Sequence, residues 1–219
     1  MKIKVLLQIF FICVTGITYA QTTNEPATML MSDAPAQIDI SLVDGSKFRA
    51  RKVAELSNLD FKSVTSFTFY YPDENNSKVN FDSLLDSLLN GSPNLEVLKF
   101  SYGKLKRLPE ITNINTKLKK LDLSHNKLKI QPIGLENFSN LEHLNLEDNE
   151  LKALPESLAL LKNLNFVDFS LNSIDEELFM QSISLLKYKG TLRLLKLGLT
   201  DKNFEEIRLK LKQIEVITK

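Results

Sequence analysis

The chain has 219 residues, of which 43% are hydrophobic and 25% charged, with a formal net charge of +1 and one cysteine. With only 7 glycines it has the apolar content for a packed core and little material for flexible linkers. A near-neutral balance excludes attraction to nucleic acid or to anionic membrane driven by net charge, so any recognition must use local patches.

The first element is a leader. Lys2 and Lys4 precede an apolar run from Val5 to Ile17 and a small residue at Ala20, the layout of a secretory signal peptide over residues 1–20. The run is too short for a comfortable transmembrane helix. An uncleaved anchor is the alternative. A lipid attachment at Cys13 would want small residues before it, where Phe11 and Ile12 stand. Cleavage after Ala20 removes Cys13, leaves no cysteine for disulfides, and predicts an exported protein of the periplasm, cell surface or medium. Residues 21–35 are polar and aperiodic and read as a flexible leader; residues 36–63, with the amphipathic run KFRARKVAELSNLD, read as an N-terminal cap region.

From here one phrase recurs. LKKLDLSHNKL begins at Leu118, LEHLNLEDNEL at Leu141 and LNFVDFSLNSI at Leu164, and the looser LEVLKFSYGKL begins at Leu95, each 23 residues after the one before. SVTSFTFYY places Val64, Phe67 and Phe69 at positions one, four and six of the phrase, and TLRLLKLGLT does the same with Leu192, Leu195 and Leu197, a step of 28 from Leu164. Between phrases, VNFDSLLDSLLNG reads as a helix burying Phe81, Leu84, Leu85, Leu88 and Leu89. The stretch from Ile174 to Gly190 fits a full helix with Leu178, Phe179, Ile183 and Leu186 at helical spacing, and FEEIRLKLKQ fits another before the short strand IEVITK. The segments around Pro109 and Pro155 read as extended returns.

Carried by Leu118, Leu121, Leu123, Asn126 and Leu128, and again by Leu141, Leu144, Leu146, Asn149 and Leu151, the chain resembles the leucine-rich repeat family over roughly residues 95–175. The resemblance implies an α/β solenoid: a curved parallel sheet of about six strands on the concave face, with short returns and helices on the convex face. It assigns residues 64–210 to the solenoid and 211–219 to a terminal strand or C-terminal cap. Many animal extracellular members close their ends with cysteine-rich caps. Their absence here points to an exported bacterial type.

Side chains alternate along a strand, so positions four and six form the core and positions three, five and seven face outward. Leu144 is thus a core residue. Position nine carries Asn126, Asn149 and Asn172, whose amides suit a structural ladder that satisfies loop backbone. The outward positions, with position eight adding Tyr71, Tyr102, His125, Asp148, Leu171 and Leu199 along one rim, gather the candidate partner-binding residues: Tyr70, Lys99, Tyr102, Lys120, Asp122, His143, Glu147, Phe166, Asp168 and Lys196. Leu194 at position three and Lys196 at position five follow from the frame that starts at Leu192. An exposed aromatic beside separated charges is a common form of protein-binding hot spot. Aspartate at position five is also frequent in this family, which gives Asp122 and Asp168 a structural reading.

Catalysis is not expected. His125 beside Ser124 and Asp122 does not assemble a triad, because neighbours in a strand alternate faces. His125 and His143 stand too far apart for a shared zinc, the acidic centre of Asp122, Glu147, Asp148 and Asp168 is a weak calcium candidate, and there is no glycine-rich phosphate loop. No cofactor or metal is expected. The reading is a non-enzymatic exported protein that binds a protein through its concave face. The alternative is carbohydrate binding, with Tyr70, Tyr71, Tyr102 and Phe166 stacking on the sugars of a surface glycan.

Overall fold

The computed structural model describes residues 37–70 and 81–218. The expected signal peptide and leader, Tyr71 and Lys219 lie outside the described residues. The repeated phrase forms strands wherever two outward residues flank a buried leucine or its equivalent. In chain order the elements are β1 (Gln37–Leu42), β2 (Lys47–Ala50), β3 (Val64–Tyr70), α1 (Asp82–Gly91), β4 (Val97–Ser101), β5 (Lys120–Asp122), β6 (His143–Asn145), β7 (Phe166–Asp168), α2 (Glu176–Ile183), β8 (Gly190–Arg193), α3 (Asp201–Lys210) and β9 (Ile214–Ile217).

These strands make one sheet of nine in the order β2-β1-β3-β4-β5-β6-β7-β8-β9. The sheet is mixed, a correction to the wholly parallel sheet of about six strands expected above. Strands β3 to β9 run parallel, while β1 pairs antiparallel with both β2 and β3. The physical reason lies in the connections. Each return between the parallel strands carries the chain across and back to start a strand in the same sense, whereas the tight turn at Asp44, Gly45 and Ser46 can only reverse it. Gly45 adopts φ 83, and Asp44 Oδ1 accepts the Ser46 N–H at 2.9 Å.

The core lies on the face made by positions four and six. Phe67, Leu98, Leu121, Leu144, Val167 and Leu192 sit in register across six strands, and all are at most 1% exposed. Burying each contributes about 1.5–3 kcal/mol relative to exposure. At the hairpin end, Ile38 and Ile40 lie opposite Phe69 and Phe67 and are buried with them. There Phe69 stacks on Phe100 at 4.3 Å, and Phe81 meets both rings edge-on at 5.0 and 5.2 Å.

The returns cover that core. Helix α1 buries Leu85, Leu88 and Leu89, as its spacing predicts. Short 3-10 turns at Leu135–Asn137 and Glu156–Leu160 serve the central repeats. Helix α2 is shorter than the full helix expected between Ile174 and Gly190. It starts where Asp175 Oδ1 accepts the Leu178 N–H at 3.1 Å, buries Phe179 and Ile183, and leaves Leu178 50% exposed.

The last repeat needs a second correction. Val167 pairs with Leu192, so Leu192 occupies position four rather than position one, and the step is 25 residues. Leu194 is consequently buried at position six, and Lys196 leaves the strand for position eight. The run TLRLLKLGLT admits both frames, and only pairing with β7 chooses between them.

Candidate functional site

The asparagines define the edge from which the site is built. Asn149 Nδ2 donates to the carbonyls of Leu123, Leu146 and Glu147 at 3.0, 3.1 and 3.1 Å, and its Oδ1 accepts the Leu128 N–H at 3.0 Å. Asn126 binds Phe100, Leu123, Ser124 and Leu105 in the same way, and Asn172 binds Leu146, Phe169, Ser170 and Leu151. Each amide thus joins its own turn to the preceding repeat, and all three are buried. A further asparagine, Asn115, does comparable work one return away. Its Nδ2 donates to Ser92 and Leu95 carbonyls, and its Oδ1 accepts the N–H groups of Lys117 and Leu118. Outside the repeated phrase, nothing in its spacing marked it.

The outward face of the sheet divides into two columns. Position three brings Ser66, Val97, Lys120, His143, Phe166 and Thr191 into register. Lys120 is exposed, His143 and Phe166 are half-buried, and the His143 and Phe166 rings lie 6.0 Å apart. Position five carries Thr68, Lys99, Asp122, Asn145, Asp168 and Arg193.

Column five is largely committed to the fold. Asp122 Oδ1 accepts the Ser124 N–H at 3.0 Å and its hydroxyl at 2.7 Å, Asn145 Oδ1 accepts the Glu147 N–H at 2.9 Å, and Asp168 Oδ1 accepts the Ser170 N–H at 3.0 Å. Each side chain closes the turn that ends its strand by bonding the backbone two residues on. Lys99 pairs with Asp122 at 3.2 Å, and Arg193 pairs with Asp168 at 3.1 Å. Asp168 is only 2% exposed, so it is withdrawn from the partner-binding set. Lys196 is withdrawn from the same column, since Arg193 holds its expected place.

Position eight forms a rim at the strand ends. Tyr102, His125, Asp148, Leu171 and Lys196 have φ of 61, 55, 53, 57 and 54°, all in the left-handed region. The turn repeats because each backbone N–H reaches the next repeat: Tyr102 to the His125 carbonyl at 3.0 Å, His125 to Glu147 at 2.9 Å, and Asp148 to Ser170 at 3.0 Å. The side chains follow suit. The Tyr70 and Tyr102 rings meet edge-on at 4.9 Å, Tyr102 stacks on His125 at 4.4 Å, and His125 Nδ1 lies 2.8 Å from the Asp148 carboxylate.

Partial burial pushes the Tyr102 hydroxyl above its usual pKa, helped by Tyr70, Asp148 and Glu147 and opposed by Lys99. Tyr70, Tyr102 and Glu147 are partner-binding candidates from the sequence; the structure places the rim residues His125 and Asp148 in contact with Tyr102 and with each other. The signal available was the 23-residue spacing of Tyr102, His125 and Asp148.

Among the described residues, no group of three or more His, Cys, Asp or Glu could hold a metal ion, and no helix is long and apolar enough to cross a membrane. A family model described as Leucine Rich Repeat matches residues 117–138 and 140–161. Among curated proteins, none matches the chain.

Proposed function

We propose, for a chain that belongs to the leucine-rich repeat family, that it is a non-enzymatic exported protein whose repeats bind a protein partner. On this reading β3 to β9 form a curved solenoid: the returns and helices on the core side take more room than the strands, so the outward face becomes concave. The observation that supports it is the contrast between the two columns of that face. Asp122, Asn145 and Asp168 are tied into turns, whereas Lys120, His143 and Phe166 stand side by side with solvent access. With strands about 4.8 Å apart, they present a cation, an imidazole and a phenyl ring in one short row. An aromatic anchor with flanking charge is suited to hot-spot docking, in which a few residues supply most of the affinity. Export rests on the basic start, the apolar run and Ala20 at the N-terminus.

The test is a crosslinking pull-down from envelope and culture fractions with residues 21–219, run beside a Lys120→Glu, Phe166→Ala double variant. Asp122 is unsuitable as the variant because its carboxylate closes a turn. A partner held by the parent and lost by the folded variant supports the reading, and Phe166→Ala alone should weaken that partner by about 1–3 kcal/mol. Equal capture by both proteins moves the site off column three. Export is checked separately by the N-terminal residue of the protein recovered from those fractions, which should be Gln21.

A further inference from the structure

The rim asks for a backbone conformation that, of its five residues, only Asp148 favours. A left-handed turn is easiest for glycine, asparagine or aspartate, and for a bulky side chain it costs about 1–2 kcal/mol. Yet Tyr102 takes it, at φ 61, and remains 39% exposed. Its neighbour Tyr70 is 38% exposed and stands at 65° to it, so the two rings form a corner that opens to solvent. His125 supports the Tyr102 ring from the other side, at an interplanar angle of 16°. The carboxylate of Asp148 in turn holds the imidazole. The same turn recurs at Leu171 and Lys196, so it is the exposed pair of rings, and not the backbone, that sets Tyr102 apart.

We propose that Tyr70, Tyr102 and His125, with Asp148 and Glu147, form a binding platform for a neutral saccharide at the rim of the sheet. Aromatic rings give a sugar's C–H face a flat apolar support, and the hydroxyls at the ring edge need partners that both donate and accept. The platform has both: two phenols and an imidazole, with the carboxylates of Glu147 and Asp148 as acceptors. Its charges are mixed, since the Lys99–Asp122 ion pair lies on the neighbouring strands and Lys99 acts on the Tyr102 hydroxyl against those carboxylates. An anionic ligand would meet Glu147 and Asp148, and a cationic one would meet Lys99. A neutral, hydroxyl-rich ligand meets neither penalty. The platform is separate from Lys120, His143 and Phe166, so its failure leaves the protein-binding reading standing, and the reverse holds as well.

Affinity electrophoresis of the full chain through gels containing dextran, glucomannan or hydroxyethylcellulose, and through gels containing polygalacturonate or polylysine, tests the proposal. Retardation by at least one neutral polysaccharide that persists in high salt is expected. Tyr102→Asn suits the left-handed turn while removing the ring. It should weaken retardation about tenfold, a change equivalent to about 1.4 kcal/mol, and leave the melting temperature equal or higher. Tyr70→Ala should weaken it similarly, and Phe166→Ala should behave as the parent. The platform is overturned if none of the three neutral polysaccharides retards the chain, if only the charged polymers do so in a salt-sensitive way, or if both tyrosine variants bind as the parent does.

Discussion

Single side chains in this protein act as fasteners between repeats. Asn149 satisfies three carbonyls and one N–H at a buried turn. Asn149→Ala would orphan the Leu128 N–H, whereas the Leu123, Leu146 and Glu147 carbonyls keep Asn126, Asn172 and the His125 N–H as donors. At roughly 1–3 kcal/mol for a buried group left unsatisfied, the loss should reach about 1–3 kcal/mol in a denaturant titration; a change under about 0.5 kcal/mol would mean that water replaces the amide. Tyr188 offers a different test. It is 3% exposed, its hydroxyl donates to the Thr191 carbonyl at 3.2 Å, and burial raises its pKa well above the ordinary tyrosine range. A group whose folded pKa is raised contributes stability that is complete below its unfolded pKa, about 10 for tyrosine, and that is lost as pH climbs toward the folded value. Stability should therefore fall above about pH 10, and Tyr188→Phe should fall less steeply there despite losing one hydrogen bond. Parallel losses in the two proteins would assign the alkaline transition to other groups.

At the scale of elements, strand β8 shows how closely one repeat approaches the next. Gly190 has φ 146, and a Cβ built there would lie 2.0 Å from the Asn165 carbonyl oxygen, the same atom that accepts the Thr191 N–H at 2.8 Å. Any side chain at this position must push β8 away from β7. Gly190→Ala should destabilise by at least about 1–3 kcal/mol from backbone strain alone, and faster hydrogen exchange at Thr191 should accompany it. Unchanged exchange would show that the strand tolerates the shift. Helix α3 is anchored more conventionally, by a capping box in which the Thr200 hydroxyl and the Asn203 side chain bond each other's backbone N–H. Asn203 also reaches Glu176 of α2 at 2.9 Å, which ties the last two helices together.

For the whole molecule, the continuous core makes stability a sum over neighbouring repeats. Leu144 sits in its middle, 0% exposed, with Leu121 and Val167 in register on either side. Leu144→Ala should cost about 2–5 kcal/mol through lost burial and the cavity left behind. Because the defect touches both adjoining interfaces, the chain should still unfold in one transition at a lower denaturant midpoint. A midpoint equal to the parent's would place Leu144 outside the core. The row of Lys120, His143 and Phe166 belongs to this scale too, because no single repeat could assemble it.

How much of this was legible beforehand depended on whether a feature repeats. Leucines at positions four and six, the asparagines at position nine and the helix over residues 82–91 follow from periodicity, since period two places side chains on alternate faces and a buried turn demands a polar partner. The open columns followed as well for the repeats beginning at Val64, Leu95, Leu118, Leu141 and Leu164. Other features answer to contacts that no spacing encodes. The frame of β8 was decided by its pairing with β7, because Leu192, Leu194, Leu195 and Leu197 offer two overlapping patterns of nearly equal quality. The antiparallel hairpin of β1 and β2 carries no repeat signature. Asp168 has the same residue type as Asp122 at the same position, and its near-complete burial comes from Arg193 and the turn around it. In the repeats beginning at Leu95, Leu118, Leu141 and Leu164, the alternation of apolar and polar residues was enough to tell which strand side chains build the core and which bind the loops; it failed at Leu178 and Leu194. Tertiary structure alone decided the final register, the reversal at the N-terminal edge and the meeting of Tyr70, Tyr102 and His125, because each depends on which backbone lies alongside.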